Sequence, residues 1–305
     1  MRRSGPKNIV ASVQARLVDR SRELGVEHQL TLARFGGERL LHRLSTSEFA
    51  DRFILKGAAL LLLWLDEPIR PTKDVDLLGF GDTSAEALTR VFVQLCAIES
   101  PDDGLTFLSN SVDVEPIRED QEYGGMRVKL VAMLGRVRIP LQVDVGAGDV
   151  VVPPPEILDY PGLLDLPRAR LRAYRPETAI AEKTEAMVRL ALANSRMKDF
   201  FDIHRLVETR TFEGETMRLA VAATFTRRGV DIPEVRPLAL SSDFADDTQK
   251  KIQWTAFVRR ARRPELADLS AIIATLDRFL WPVLQAAARG EPWPRRWSNG
   301  AWNGL

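Results

Sequence analysis

Cysteine is nearly absent: Cys96 is the only one in 305 residues, so no disulfide can form within the chain. It lies in the apolar run Val91-Phe92-Val93-Gln94-Leu95-Cys96, where the expected role is that of a small buried hydrophobe and not a reactive thiol. Long apolar runs are missing too. The longest, Ala58 to Leu65, falls far short of the roughly 20 residues needed to span a bilayer. Met1-Arg2-Arg3-Ser4-Gly5-Pro6 has no apolar stretch behind its arginines to make a secretory signal. The expectation is a cytoplasmic protein with no membrane partner. Charge of one sign is also lacking: 43 Lys and Arg against 42 Asp and Glu give a net charge of +1. That excludes whole-molecule attraction to nucleic acid and leaves local basic surfaces open. Internal repeats and low-complexity tracts are not found.

What is present has the composition of a folded, soluble chain, with 45% hydrophobic and 28% charged residues, which removes disordered and fibrous classes. The length suits a catalytic domain followed by a second domain. Ile9, Val13 and Leu17, then Leu30, Leu32, Leu40, Leu41 and Leu44, recur at helical spacing and predict two helices ahead of the first motif. Residues 53–65 read as a short strand turning into an apolar helix at Lys56-Gly57-Ala58, where glycine permits close backbone approach. Residues 73–80 read as a strand and 85–95 as a helix. Period-two alternation over 112–117, 126–132 and 137–145 predicts three consecutive strands in an antiparallel or mixed sheet.

Pro153-Pro154-Pro155 breaks that pattern, and the chain is strongly helical after Pro176. Helices are expected over 179–193, 197–209 with Ser195 as its cap, 216–226, 248–261 and 268–288. The tail from Gly290 carries Trp293, Trp297 and Trp302 and is expected to be ordered by packing them. The fold class is therefore α+β: N-terminal helices and a mixed-sheet core over residues 1–165, then an α-helical domain over 166–305. Two basic clusters stand out, Arg168, Arg170, Arg172 and Arg175, and Arg259, Arg260, Arg262 and Arg263. Each alone reads as a solvated face; two in one helical region favour a polyanionic partner.

The chemistry centres on Thr72-Lys73-Asp74-Val75-Asp76. Side chains alternate along a strand, so Asp74 and Asp76 share a face while Val75 and Leu77 enter the core. By the same alternation Asp144, within Gln142-Val143-Asp144-Val145-Gly146, lies on the non-core face of a later strand, able to join them. Three carboxylates in one place repel unless a cation sits between them, and hard oxygen ligands suit Mg²⁺, with Mn²⁺ as the alternative. An Asp-x-Asp pair by itself is more often a solvated edge. Here Gly57-Ala58 opens a helix upstream, Arg70-x-Thr72 immediately precedes the pair, and the third carboxylate follows on a separate strand.

In that order of motifs the sequence resembles the AbiEii/AbiGii toxin family, its MenT branch included. The resemblance rests on Lys56-Gly57-Ala58 with Arg70-x-Thr72-x-Asp74-x-Asp76; on Val143-Asp144-Val145-Gly146; on Ala181-Glu182-Lys183-Thr184-x-Ala186-Met187; and on Arg196-x-Lys198-Asp199-Phe200-Phe201-Asp202. It spans about residues 53–206. Ala58 departs from the second glycine or serine common in the wider superfamily, which bears on the backbone around the triphosphate.

The resemblance implies a polymerase-beta-like nucleotidyltransferase core. It implies Asp74, Asp76 and Asp144 as catalytic metal ligands, Asp144 alternatively accepting the proton of the attacking hydroxyl. Lys56, Gly57, Ala58, Arg70, Thr72, Lys183 and Lys198 are implied for nucleotide binding. Lys183 also counts as catalytic, through the triphosphate, and so does Asp199, orienting Lys183 or an acceptor group. The implied activity is toxin-type transfer of a nucleotide from an NTP to an RNA acceptor, the 3′ end of tRNA, with pyrophosphate release and growth arrest, and an AbiEi-like antitoxin as partner.

Two other readings keep the same motifs: nucleotidyl or phosphoryl transfer to a protein or small molecule, and a non-catalytic nucleotide-binding partner protein. Without the resemblance, Lys183 between Glu182 and Glu185 reads as an exposed helix residue. Asp199 reads as a first-turn carboxylate favourable to the helix dipole. Asp202 reads as a partner of Arg205 or Lys198, and His204 as a packed helix histidine.

Overall fold

The N-terminal periodicity becomes two helices, α1 (Ile9–Leu24) and α2 (His28–Ser45). The Asn8 side chain caps α1 by accepting the Ala11 N–H at 3.0 Å, and Gly25 ends it at a φ of 63°. In the computed structural model the described residues are 8–65, 74–117, 124–261 and 268–304. The chain then runs through β1 (Phe53–Lys56), a 3-10 turn (Gly57–Leu60), α3 (Leu61–Trp64), β2 (Val75–Gly79), α4 (Ala85–Ala97), β3 (Leu105–Pro116), β4 (Met126–Leu134), β5 (Val137–Ala147), β6 (Glu156–Asp159) and β7 (Arg170–Ala173). After these come α5 (Pro176–Leu190), α6 (Met197–Thr209), β8 (Phe212–Glu213), α7 (Gly214–Arg227), α8 (Ser242–Asp246), α9 (Thr248–Ala261), α10 (Leu269–Arg289), β9 (Arg295–Ser298) and β10 (Ala301–Gly304).

Two compact units emerge. The first draws on Met1–Leu63, Pro71–Gly148 and Glu156–Ala173, the second on Trp64–Arg70, Asp149–Pro155 and Tyr174–Leu305. Strand β7 belongs to the first unit, because it joins that unit's sheet.

That sheet has seven strands in the order β3-β4-β5-β2-β1-β7-β6. It is mixed, as expected: β2 runs parallel to β5 and β1 to β7, while the other neighbours are antiparallel. Val75, Leu77, Leu141, Val143 and Val145 are buried, as strand alternation requires of the core face. Helix α2 approaches that face closely. A Cβ on Gly36 would lie 2.9 Å from Leu141 Cδ2 and one on Gly37 would lie 3.2 Å from Val75 Cγ2. Two glycines weaken a helix by roughly 1 kcal/mol each relative to alanine; here they let α2 sit down on the strands that carry the carboxylates.

Strands β6 and β7 were not expected from sequence. The proline run and the arginines hide them, yet Arg170 and Arg172 alternate with buried Leu171 and Ala173 in a strand. This corrects the placing of the first arginine cluster in a helical region: Arg170 and Arg172 lie on β7 of the first unit, and only Arg175, N-cap of α5, belongs to the helices. Of the second cluster, Arg259 and Arg260 end α9, and Arg262 and Arg263 lie outside the described residues.

In the second unit the expected helices form, but Ser195 is not the cap of α6. Arg196 holds that position without a side-chain cap bond, and the Asn194 side chain accepts its N–H at 2.8 Å. Helix α10 is long and apolar enough to cross a membrane by length and composition, yet Ile272, Leu276, Phe279, Leu280, Val283 and Leu284 line the core. The tail is a hairpin, β9 with β10, turning through Asn299 and Gly300 at φ values of 51° and 76°. Positive φ at both central residues is the type I′ geometry that Asn-Gly favours. The Trp297 indole donates to the Val207 carbonyl at 2.7 Å, and Trp302 stacks on Phe279 at 5.2 Å.

Candidate functional site

In the first unit the candidate residues stand in one row across the sheet. Lys56 of β1 pairs in register with Asp76 of β2, Asp76 with Asp144 of β5, Asp144 with Arg127 of β4, and Arg127 with Glu115 of β3. Register partners project to the same side, so all five belong to the face opposite the α2 core. Asp74 precedes β2 and is exposed, while Asp76 is half-buried.

Gly57 explains itself sterically. It takes a φ of 75°, and a Cβ built on it would lie 2.0 Å from Asp76 Oδ2 and 2.6 Å from its Cγ. Only glycine leaves that carboxylate its place. The Lys56 ammonium lies on the same face, with Nζ 3.9 Å from where a Cβ on Gly146 would stand, so it reaches across β2 toward β5. Gly57 and Ala58 form the half-buried start of the 3-10 turn. Arg70 and Thr72 lie outside the described residues.

Asp144 is held by a residue that the sequence reading missed. Arg127 Nε and Nη2 donate to its Oδ1 and Oδ2 at 2.9 and 2.8 Å, a bidentate fork, and Gln142 Nε2 donates to Oδ1 at 3.2 Å. Both groups of the fork are partly exposed, Arg127 at 29% and Asp144 at 21%. The signal lay in the hairpin. Gly135, at a φ of 63°, and Arg136 form a two-residue turn between β4 and β5, and such a turn dictates register outward from Leu134 and Val137.

Among the described residues, no three His, Cys, Asp or Glu side chains converge closely enough to hold a metal ion as arranged. The donor chemistry nevertheless suits one. Asp76 and Asp144 are register partners on adjacent parallel strands, all their donors are hard oxygens, and Gly57 keeps backbone, not a side chain, against Asp76.

The second unit holds a buried ionic cluster. Lys183 on α5 donates to Asp199 Oδ1 at 2.5 Å and Asp202 Oδ2 at 3.0 Å, both on α6, and Arg196 Nε donates to Asp199 Oδ2 at 2.6 Å. Asp199 and Asp202 are 1% and 0% exposed, Lys183 only 14%. Lys183 is therefore not the exposed helix residue its acidic neighbours suggested. Asp202 pairs with it and not with Arg205, which faces Glu208. Burial alone would lower the Lys183 pKa; the charges of Asp199 and Asp202 outweigh it and hold the ammonium above its ordinary value. For Asp199, burial pushes the carboxyl up, and Lys183 and Arg196 overcome that and hold it below the usual range. Lys198 is exposed on the first turn of α6. His204 is buried, as expected of a packed helix histidine.

Comparison with known proteins adds the following. The sequence profile of the family described as "Nucleotidyl transferase AbiEii toxin, Type IV TA system" matches residues 39–282. Among curated proteins, none matches the sequence. Two solved structures from Helicobacter pylori resemble the fold. JHP933 has 17% identity and a TM-score of 0.47 over 86% of this chain and 91% of its own. A protein provisionally described as a nucleotidyltransferase has 17% identity and a TM-score of 0.49 over 87% and 98%.

Proposed function

The chain belongs to the AbiEii nucleotidyltransferase toxin family of type IV toxin–antitoxin systems, and from that premise we propose that it transfers a nucleotidyl group from an NTP to the 3′ end of tRNA in the cytoplasm. Growth arrest follows from the altered acceptor, and an AbiEi-like antitoxin is the partner such a system implies. The observation that carries this reading is the register that sets Asp76 beside Asp144 with Lys56 and Gly57 against them.

Asp74, Asp76 and Asp144 are the residues that would hold a divalent cation, Mg²⁺ or Mn²⁺, whose contribution is to neutralise the charge that builds on the phosphates as pyrophosphate leaves. The acceptor hydroxyl oxygen bonds to the α-phosphorus, the bond from that phosphorus to the β-phosphate oxygen breaks, and the hydroxyl proton passes to Asp144 or to water. Lys56 offers a cation on the same face. Asp199 and Asp202 keep Lys183 charged and oriented; its role toward triphosphate, like those of Lys198, Arg70 and Thr72 toward the nucleotide, is the one the family motif implies.

The experiment is incubation of the purified chain with total tRNA, Mg²⁺ and each labelled NTP in turn, beside Asp76→Ala. Label on tRNA from the wild type alone is the expected result and names the nucleotide. Label on protein with none on RNA, or label nowhere, overturns the tRNA assignment.

A further inference from the structure

The proposed mechanism leaves Arg127 without a role, yet its guanidinium is committed to one of the three candidate metal ligands. The fork to Asp144 uses both carboxylate oxygens at 2.8 and 2.9 Å. A carboxylate with both oxygens in a guanidinium fork offers a cation little. The row across the sheet reads Lys56, Asp76, Asp144, Arg127, Glu115, so the Arg127 guanidinium stands between two carboxylates. A divalent cation taking Asp144 must therefore displace the Arg127 fork from it.

We propose that Arg127 is an exchangeable counterion: it occupies Asp144 until a divalent cation takes that carboxylate, and then turns its fork to the phosphate oxygens of the nucleotide. The inference rests on the reading of Asp144 as a metal ligand. The chemistry of the exchange is symmetrical, because a guanidinium fits carboxylate and phosphate with the same pair of parallel N–H donors. The surroundings favour motion. Arg127 is 29% exposed, so its fork is not locked in a core. Glu115, its register partner on the far side, pairs with Lys129 at 2.5 Å, which limits its pull on a released Arg127. Asp144 keeps the Gln142 amide donor at 3.2 Å when the arginine departs.

The test is Mn²⁺ binding to the full chain, followed by the electron paramagnetic resonance signal of free Mn²⁺, for wild type, Arg127→Gln, Arg127→Lys and Asp144→Asn, with thermal melts to establish folding. If Arg127 competes with the metal, Arg127→Gln binds Mn²⁺ about tenfold more tightly in the absence of nucleotide. With saturating Mn²⁺ it binds a non-hydrolysable NTP analogue about tenfold more weakly. Arg127→Lys, which keeps the charge without the fork, falls between the two and guards against a folding defect in the glutamine variant. Unchanged or weaker Mn²⁺ binding in both arginine variants, with Asp144→Asn losing it, overturns the exchange and leaves Asp144 a metal ligand. Mn²⁺ binding that is absent in wild type, or unaffected by Asp144→Asn, overturns both.

Discussion

Gly57→Ala isolates the point where the backbone meets a candidate metal ligand. At a φ of 75° an alanine is strained by roughly 1–2 kcal/mol, and its Cβ would stand 2.0 Å from Asp76 Oδ2. Ordinary contact begins near 3.4 Å, so either the carboxylate or the turn must move by about 1.4 Å. Displacements of ~1 Å at a reacting centre cost about a hundredfold in rate. Gly81 supplies the control: its φ is 76°, and nothing lies within 4 Å of a Cβ there. Gly81→Ala carries the same backbone strain with no carboxylate to push. Both variants should melt a few degrees lower, at about 2–4 °C per kcal/mol for a domain of this size. Only Gly57→Ala should lose nucleotide incorporation, by about a hundredfold, measured as initial rate with labelled NTP at equal folded protein. Wild-type incorporation by Gly57→Ala, or equal losses in the two variants, refutes the steric reasoning.

Three further expectations follow from buried charges. Lys183→Ala removes the cation that Asp199 and Asp202 face at 1% and 0% exposure; breaking such a buried cluster costs about 3–5 kcal/mol, seen in urea unfolding, so its loss of activity has meaning only beside its stability. The Asp199 carboxyl is held low, so the stability it contributes is present above the unfolded carboxylate value near pH 4 and is lost as acid protonates it; a stability profile flat through that range contradicts the ion pair. Glu38 behaves oppositely. Burial pushes it up to about 7, against the Arg34 charge and the Leu163 N–H that lower it. Between about pH 4.5 and 7 the folded state keeps a proton that the unfolded state has lost, so stability falls by up to about 3 kcal/mol as pH rises. Glu38→Gln should remove that slope, and parallel unfolding profiles at pH 5 and pH 8 for the two proteins contradict it.

Legibility from the sequence followed the range of the interaction concerned. Alternation along β2 and β5 placed Val75, Leu77, Val143 and Val145 inside and left Asp76 and Asp144 on the other face, because side-chain direction in a strand is local geometry. The helices of the second unit were readable for the same reason. Strands β6 and β7 were not, since Pro153-Pro154-Pro155 and the arginines obscure alternation that only a neighbouring strand completes. Ser195 failed as a cap because Asn194, one residue earlier, takes the Arg196 N–H.

By itself the sequence determined which residues have hard oxygens or permanent positive charge, which of them share a strand face, and, through four ordered motifs, the family. Tertiary structure alone decided the partners. Asp76 meets Asp144 through a parallel pairing joined by a long crossover, whose register no local turn sets. Arg127 forks to Asp144, and Lys183 lies between Asp199 and Asp202. The physical reason is range: backbone geometry acts over a few residues, whereas ion pairing and packing act between residues that the fold alone brings within 3 Å of each other.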